Sequence, residues 1–108
     1  MSAVEYMQAQ RWRAAFQARM RSLLTRFDAL LMPTSPVVAP KREAVEQFLL
    51  VLSENCIPWS FIGFPAVSVP SGLTAEGLPT GAELVAGPWE DVRLLALAAA
   101  LEEAMAGT

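Results

Sequence analysis

Histidine is absent from this 108-residue sequence, and lysine and cysteine occur once each, as Lys41 and Cys56. Without histidine, the chain lacks the commonest general base and the commonest metal ligand, and we expect neither a metal site nor a cofactor. Any catalysis by this chain alone would have to pair a serine with Lys41 or with a carboxylate. A lone cysteine cannot form an internal disulfide, which is typical of a reducing compartment and predicts a cytoplasmic protein.

Long apolar runs and basic patches are also missing. No segment reads as 18 continuous apolar residues, and a charged helix replaces the apolar core of a signal peptide at the N-terminus, so we expect no membrane association. The net charge is −3, and the arginines cluster only on the first predicted helix. Nucleic acid is therefore an unexpected partner. The arginines either bind an anionic ligand or form a solvated helix face, and the second interpretation is favoured.

Apolar residues are abundant for a small domain, at 54% of the sequence. A chain of this length is enough for one domain, which we place at 1–108. It buries only about two-thirds of its unfolded surface on folding. We therefore expect some apolar surface to need a partner.

The spacing of apolar residues, glycines and prolines predicts seven consecutive segments. Ser2 and Glu5 fit a capping box that opens the first helix. A loop with room for one helical turn is expected between the second helix and the second strand. The segments are a helix at 2–27, a strand at 28–32, a proline-rich loop at 33–40, a helix at 41–53, strands at 66–70 and 80–86, and a helix at 89–106. This order predicts an α/β fold, with a small mixed sheet of about three strands and helices on both faces.

Three groups of side chains could carry chemistry. Ser35 and Lys41 are a conceivable nucleophile and base, but no motif supports the pair. Glu76 and Glu83 could form a carboxylate pair, but exposed single charges are favoured. An aromatic cluster beside Cys56 could line an apolar pocket or belong to the core, and the core is favoured; its members are Trp59, Phe61 and Phe64.

Three segments, in order and with matching spacing, carry a resemblance to a known family. They are "FDALLMPTSPVVAP", "IPWSFIGFPAVSVPSG" and "GLPTGAELVAGPWEDVRLLALAAALEEA". Together they resemble the C-terminal part of the amidase signature enzymes, which hydrolyse carbon–nitrogen amide bonds. The resemblance implies that the fold of this chain is the C-terminal portion of the amidase signature fold.

The same resemblance implies which functional residues to expect. The family uses a serine, a second serine with a cis peptide bond and a lysine, in segments that have no counterpart here. We therefore assign no catalytic residue. Part of the substrate-pocket wall is expected before "GFPAVSVP", where Cys56, Trp59 and Ser60 replace a threonine, a phenylalanine and an asparagine of the family.

Two functions remain open. The chain is either an amidase fragment or subunit, inactive alone and dependent on a catalytic partner chain, or a free-standing, non-enzymatic protein that associates with itself. Strands and helices cut from a larger sheet leave unpaired edges and apolar faces. The sequence therefore predicts a homo-oligomer, with a dimer as the simplest case.

Overall fold

Residues 1–106 are described by a computed structural model that contains four α-helices and three strands. A 3-10 turn at Arg42–Ala44 precedes the second helix. The helices are α1 (Ala3–Leu23), α2 (Val45–Ser53), α3 (Ile57–Ile62) and α4 (Asp91–Ala106), and the strands are β1 (Leu30–Pro33), β2 (Ala66–Leu73) and β3 (Pro79–Val85). No helix in this range is both long and apolar enough to cross a membrane.

The three strands form one sheet with β3 in the centre, in the order β1-β3-β2. Both pairings are antiparallel, and Leu84 of β3 lies between Leu31 of β1 and Val67 of β2. The predicted α/β architecture with a three-stranded sheet is confirmed. Within the described residues, however, the sheet is antiparallel and not mixed.

Helices cover both faces of the sheet. Alternate residues of β3 point to opposite faces, so each face of this strand packs against different helices. On one side, Ala82 and Leu84 pack with Leu94 and Ala98 of α4. On the other side, Val85 packs with residues of α1 and α3, among them Phe16, Met20, Trp59 and Ile62. The central strand is therefore buried on both faces.

Helix α1 begins with the predicted capping box. The Ser2 hydroxyl accepts from Glu5 N at 3.1 Å, and the Glu5 carboxylate accepts from Ser2 N at 2.7 Å. The helix ends at Leu23, before the predicted end at residue 27, and a turn follows in which the Thr25 hydroxyl donates to the Ser22 carbonyl. The four-residue spacing of Trp12, Phe16 and Met20 predicts one apolar stripe along this helix. The stripe is only partly buried, since Trp12 is 75% exposed.

Strand β2 extends past Pro70, where the sequence predicts its end. Pro70 lacks an N–H group, but β2 is an edge strand and tolerates the missing donor. The register shifts between Pro70 and Gly72, and Gly72 has a φ of 133°. This irregularity lets the strand continue to Leu73.

The segment interpreted as a loop before β2 contains the short helix α3. Gly63 ends this helix in the left-handed conformation, with a φ of 75°, and both Gly63 N and Phe64 N donate to the Trp59 carbonyl. Two side chains of α1 bind the C-terminal end of α3: Arg13 donates to the Phe61 carbonyl, and Gln17 donates to the Ile62 carbonyl. At the other end of the chain, α4 starts at Asp91, slightly later than the predicted start at residue 89.

Candidate functional site

A groove of about 760 Å³ lies at the end of the sheet where β1 leads into the proline-rich loop. Its lining combines hydroxyl groups from the strands and the loop with apolar side chains. The hydroxyl groups belong to Thr34, Ser35, Ser68, Ser71 and Thr80, and the apolar residues include Pro36, Val37, Val38, Ala39 and Leu52. A groove with this lining suits a ligand with an apolar body and a polar end.

The hydroxyl groups of the groove bond to one another. Thr34 and Ser68 lie on opposite sides of β3, with their oxygens 2.5 Å apart, and Ser71 and Thr80 are joined at 2.7 Å. Gly81 makes the first pair possible. A Cβ atom at Gly81 would lie 2.8 Å from Thr34 Oγ1 and 2.9 Å from Ser68 Oγ.

The start of α3 holds the groove loop in place from behind. Asn55 Nδ2 donates to the Pro33 carbonyl at 2.8 Å, and the Cys56 thiol donates to the Thr34 carbonyl at 3.5 Å. These bonds satisfy two carbonyls of the chain that leaves β1. The geometry gives Asn55 and Cys56 a positioning role for this loop.

Glu83 is a buried carboxyl group on the central strand. Only 3% of the residue is exposed, and Oε2 has no hydrogen-bond partner among the described residues. Burial raises the pKa of Glu83, and the neighbouring Cys56 thiol opposes part of that rise. Burial, together with the nearby charge of Glu83, raises the pKa of the Cys56 thiol. Both pKa values are therefore shifted in the direction of the neutral forms.

The three residues predicted to contact substrate do not converge on the groove. Cys56 is half-buried behind it, as described above. Trp59 is buried in the core, 6.2 Å from Phe16 between ring centroids, and its indole N–H has no partner within residues 1–106. Ser60 is exposed on α3. None of the three is among the described residues that line the groove.

The structure also shows where the conceivable catalytic pair lies. Ser35 is at the groove, and its hydroxyl oxygen accepts from Val37 N at 3.4 Å. Lys41 is exposed, and within residues 1–106 it makes no hydrogen bond to a serine. A serine nucleophile needs a base within hydrogen-bond reach. Among the described groove contacts, the hydroxyl groups bond to each other and to the backbone.

Comparison with known proteins identifies the family. Residues 1–95 match the sequence model of the Amidase family. The chain belongs to the amidase family. This confirms the resemblance inferred from the three sequence segments.

Relatives of this amidase-family chain are much longer than the chain itself. A glutamyl-tRNA(Gln) amidotransferase subunit of Myxococcus xanthus is 37% identical over 100 residues, which cover 90% of this chain and 21% of the relative. A fatty acid amide hydrolase of Arabidopsis thaliana is 33% identical over an alignment of 110 positions, which covers 94% of this chain and 18% of the relative. The chain therefore spans about a fifth of the relatives it matches.

Solved structures of amidase-family proteins have a similar fold over most of this chain. The crystal structure of a glutamyl-tRNA(Gln) amidotransferase subunit from Thermotoga maritima superposes with a TM-score of 0.73 at 30% identity, over 82% of this chain and 20% of that one. The crystal structure of an amidase gives a TM-score of 0.78 at 28% identity, over 97% and 26% of the two chains.

Sequence reasoning misses two features of this amidase-family chain. The sequence predicts that Glu83 is exposed, but the residue is buried, whereas Glu76 is exposed as expected. The pairing of Thr34 with Ser68 across Gly81 is not predicted either. The burial of Glu83 could have been predicted from one signal. A central strand of a sheet that is covered by helices on both faces has no residue that faces solvent.

Proposed function

We propose that this chain supplies part of the fold and one wall of the substrate pocket to an enzyme that hydrolyses carbon–nitrogen amide bonds. The catalytic groups would come from another chain or another segment. The observation that carries the proposal is the groove itself, whose described hydroxyl groups make hydrogen bonds to one another and to the backbone. The family match supports the same proposal, and so does the small fraction of each relative that this chain covers.

The proposed wall is formed by three consecutive apolar residues of the groove lining, Val37, Val38 and Ala39. These residues follow the Pro33–Thr34 segment that Asn55 and Cys56 hold from behind. Substrate contacts by Cys56, Trp59 and Ser60 stay a prediction. The buried indole N–H of Trp59, unpartnered within the described chain, and the exposed position of Ser60 are the observations in its favour.

The wall can be tested on the purified chain by NMR titration with hexanamide, an amide with an apolar body. We expect millimolar binding, with shifts confined to the backbone amides around Val38. Val38→Trp should fill the groove and abolish the shifts, whereas Leu50→Trp, at an exposed position on α2, is the matched control. Shifts that survive in Val38→Trp, or that centre on Ser60, would move the ligand away from the proposed wall.

Catalytic dependence on a partner is tested by an amide hydrolysis assay. We expect no turnover by the purified chain above the uncatalysed rate. Turnover that is abolished by Ser35→Ala or by Ser60→Ala would contradict the proposal, because it would place a nucleophile on this chain. Turnover that persists in both variants would indicate a contaminating hydrolase.

The second candidate function is a free-standing protein that associates with itself. Its support is the amount of apolar side chain left exposed on the outer sides of α1 and α4, including Met7 and Val92. The single free cysteine, Cys56, suits a cytoplasmic location for either candidate.

A further inference from the structure

The outer face of α4 is apolar although no described residue covers it. The helix carries no charged residue between Arg93 and Glu102. Opposite its buried residues Leu94 and Ala98, it presents Val92 at 83% exposure and Leu95 at 61%. The remainder of this face consists of the exposed alanines Ala96, Ala99 and Ala100. A helix that is apolar on all sides is normally buried on all sides.

The outer face of α1 also presents exposed apolar residues, with Arg11 lying among them. Opposite Phe16 and Met20, which pack against the core, the helix presents Val4 at 70% exposure and Met7 at 57%. The exposed alanines Ala14, Ala15 and Ala18 continue this face. Small side chains on both helices would let two backbones approach closely.

The two helices carry opposite charge. Helix α1 has four arginines and a single glutamate, which is bound in the capping box, whereas α4 has Arg93 against three acidic residues. Arg13 is bound to the Phe61 carbonyl, and Arg93 is paired with Asp28 and Glu90. Among the described residues, the charges left without an ion pair are basic on α1 and acidic on α4; they are Arg11, Arg19, Arg21, Asp91, Glu102 and Glu103.

We propose that the outer face of α1 in one copy of this chain docks on the outer face of α4 in a second copy. The inference goes beyond the amide-hydrolysing role and rests on the second candidate function, self-association. Apolar faces lined by alanine would meet at the centre of the contact, with basic side chains of α1 beside acidic side chains of α4. A pair of α4 helices would instead bring acidic residues together.

The topology predicts how such a contact extends. Helices α1 and α4 cover opposite faces of one sheet. One twofold axis therefore cannot bring both faces of one copy onto the same partner. The contact joins unlike surfaces, so an assembly of any size leaves one α1 face and one α4 face free, and growth continues past a dimer until the copies close into a ring.

The experiment uses two blocked variants of the full chain in sedimentation equilibrium. Ala18→Glu places a bulky acidic group on the α1 face, and Ala99→Arg places a bulky basic group on the α4 face. We expect the wild-type mass to rise with concentration past that of a dimer, and at least tenfold weaker association in each variant. An equimolar mixture of the variants should form a 1:1 complex, because each retains the face that the other lacks.

Ala104→Arg is the matched control, since residue 104 lies about 140° around the helix from residue 99. This variant should associate like the wild type, and circular dichroism confirms that all variants are folded. Raising the salt concentration should weaken wild-type association, because the flanking charges are exposed.

Other outcomes would overturn the proposal. A wild-type chain that stays monomeric at millimolar concentration has no such contact. A mixture of the blocked variants that forms no complex, beside a wild type that stops at a dimer, would indicate a twofold contact between like faces. Either result leaves the amide-binding groove untouched, because none of the outer-face residues named for α1 and α4 is among the described residues that line it.

Discussion

The two faces of the central strand differ in chemistry, although they are equally well buried. On the α4 side, Ala82 and Leu84 pack in an apolar cluster. On the α3 side, Val85 is followed toward the groove by Glu83 and then by Gly81, where Thr34 and Ser68 pair. Both faces therefore contribute apolar core, and the α3 face adds a polar cluster that supports the groove.

Substitutions on the two faces of β3 should have different effects. An apolar face loses stability in proportion to the volume removed, and surrounding groups relax only in part. A polar cluster responds instead to geometry and to protonation, because its members depend on particular partners. Substitutions on the two faces should therefore differ in the size of their effect and in its dependence on pH.

The apolar side is probed by neighbouring leucines of α4. Leu94 is 2% exposed and Leu95 is 61% exposed. Leu94→Ala should lower the free energy of unfolding by about 2–5 kcal/mol, because it leaves a cavity beneath α4. Leu95→Ala should change it by less than about 0.5 kcal/mol in the monomer. Urea denaturation at low protein concentration makes the comparison, and equal losses would mean that α4 is not packed as described.

The polar side is probed at Gly81. Gly81→Ala should cost roughly 1–3 kcal/mol, because the added methyl group overpacks the space between Thr34 Oγ1 and Ser68 Oγ. The same denaturation experiment measures the loss. In a Thr34→Ala/Ser68→Ala background the cost should shrink, since both oxygens are gone. An unchanged cost in that background would show that the strain arises elsewhere.

Glu83 should make stability depend on pH. Burial raises the pKa of the native carboxyl group above its value of 4.5 in the unfolded chain. Between these two pKa values the native state holds more protons than the unfolded state, so stability is fully present at low pH and falls as pH rises through the native pKa. Glu83→Gln removes the titration and keeps the shape.

We expect Glu83→Gln to match the wild type below pH 4.5. At neutral pH the variant should exceed the wild type by on the order of 1 kcal/mol. Thermal unfolding across pH measures the difference. Glu76→Gln is the matched control, because Glu76 is exposed between β2 and β3 and its carboxyl group is in water in both states. A wild type that gains stability from acidic to neutral pH relative to Glu83→Gln would contradict the prediction.

The smallest effect concerns the Cys56 thiol. Its pKa is raised first by burial and then by the Glu83 carboxylate, so the nucleophilic thiolate is scarce at neutral pH. Alkylation by iodoacetamide should be slower than for a free cysteine. Glu83→Gln should speed it a few-fold by removing the neighbouring charge. If the rate is the same in both proteins, the two side chains do not interact as described.

Several elements can be predicted from local chemistry. The capping box at Ser2 and Glu5 is predicted from the spacing of a hydroxyl and a carboxylate, and the structure confirms it. The apolar periodicity of α4 and the three strands is also correctly predicted, since each depends on neighbours in the chain. The family can be recognised because three segments match in order.

Other features depend on neighbours that are distant in the chain. Pro70 lies within β2 because that strand is at the edge of the sheet, and sheet order is not a local property. Trp12 is exposed because no described residue covers it, although the spacing alone puts it on the apolar stripe. Only the central position of β3 decides that Glu83 is buried.

The sequence by itself determined most of the elements and the family, because these follow from residue types and short spacings. The tertiary structure alone decided which hydroxyl groups meet and which carboxyl group is buried. It also decided that α1 and α4 leave apolar faces uncovered on opposite sides of the sheet. Those outcomes depend on side chains that are far apart in the sequence and become neighbours only when β1 and β2 pair with β3.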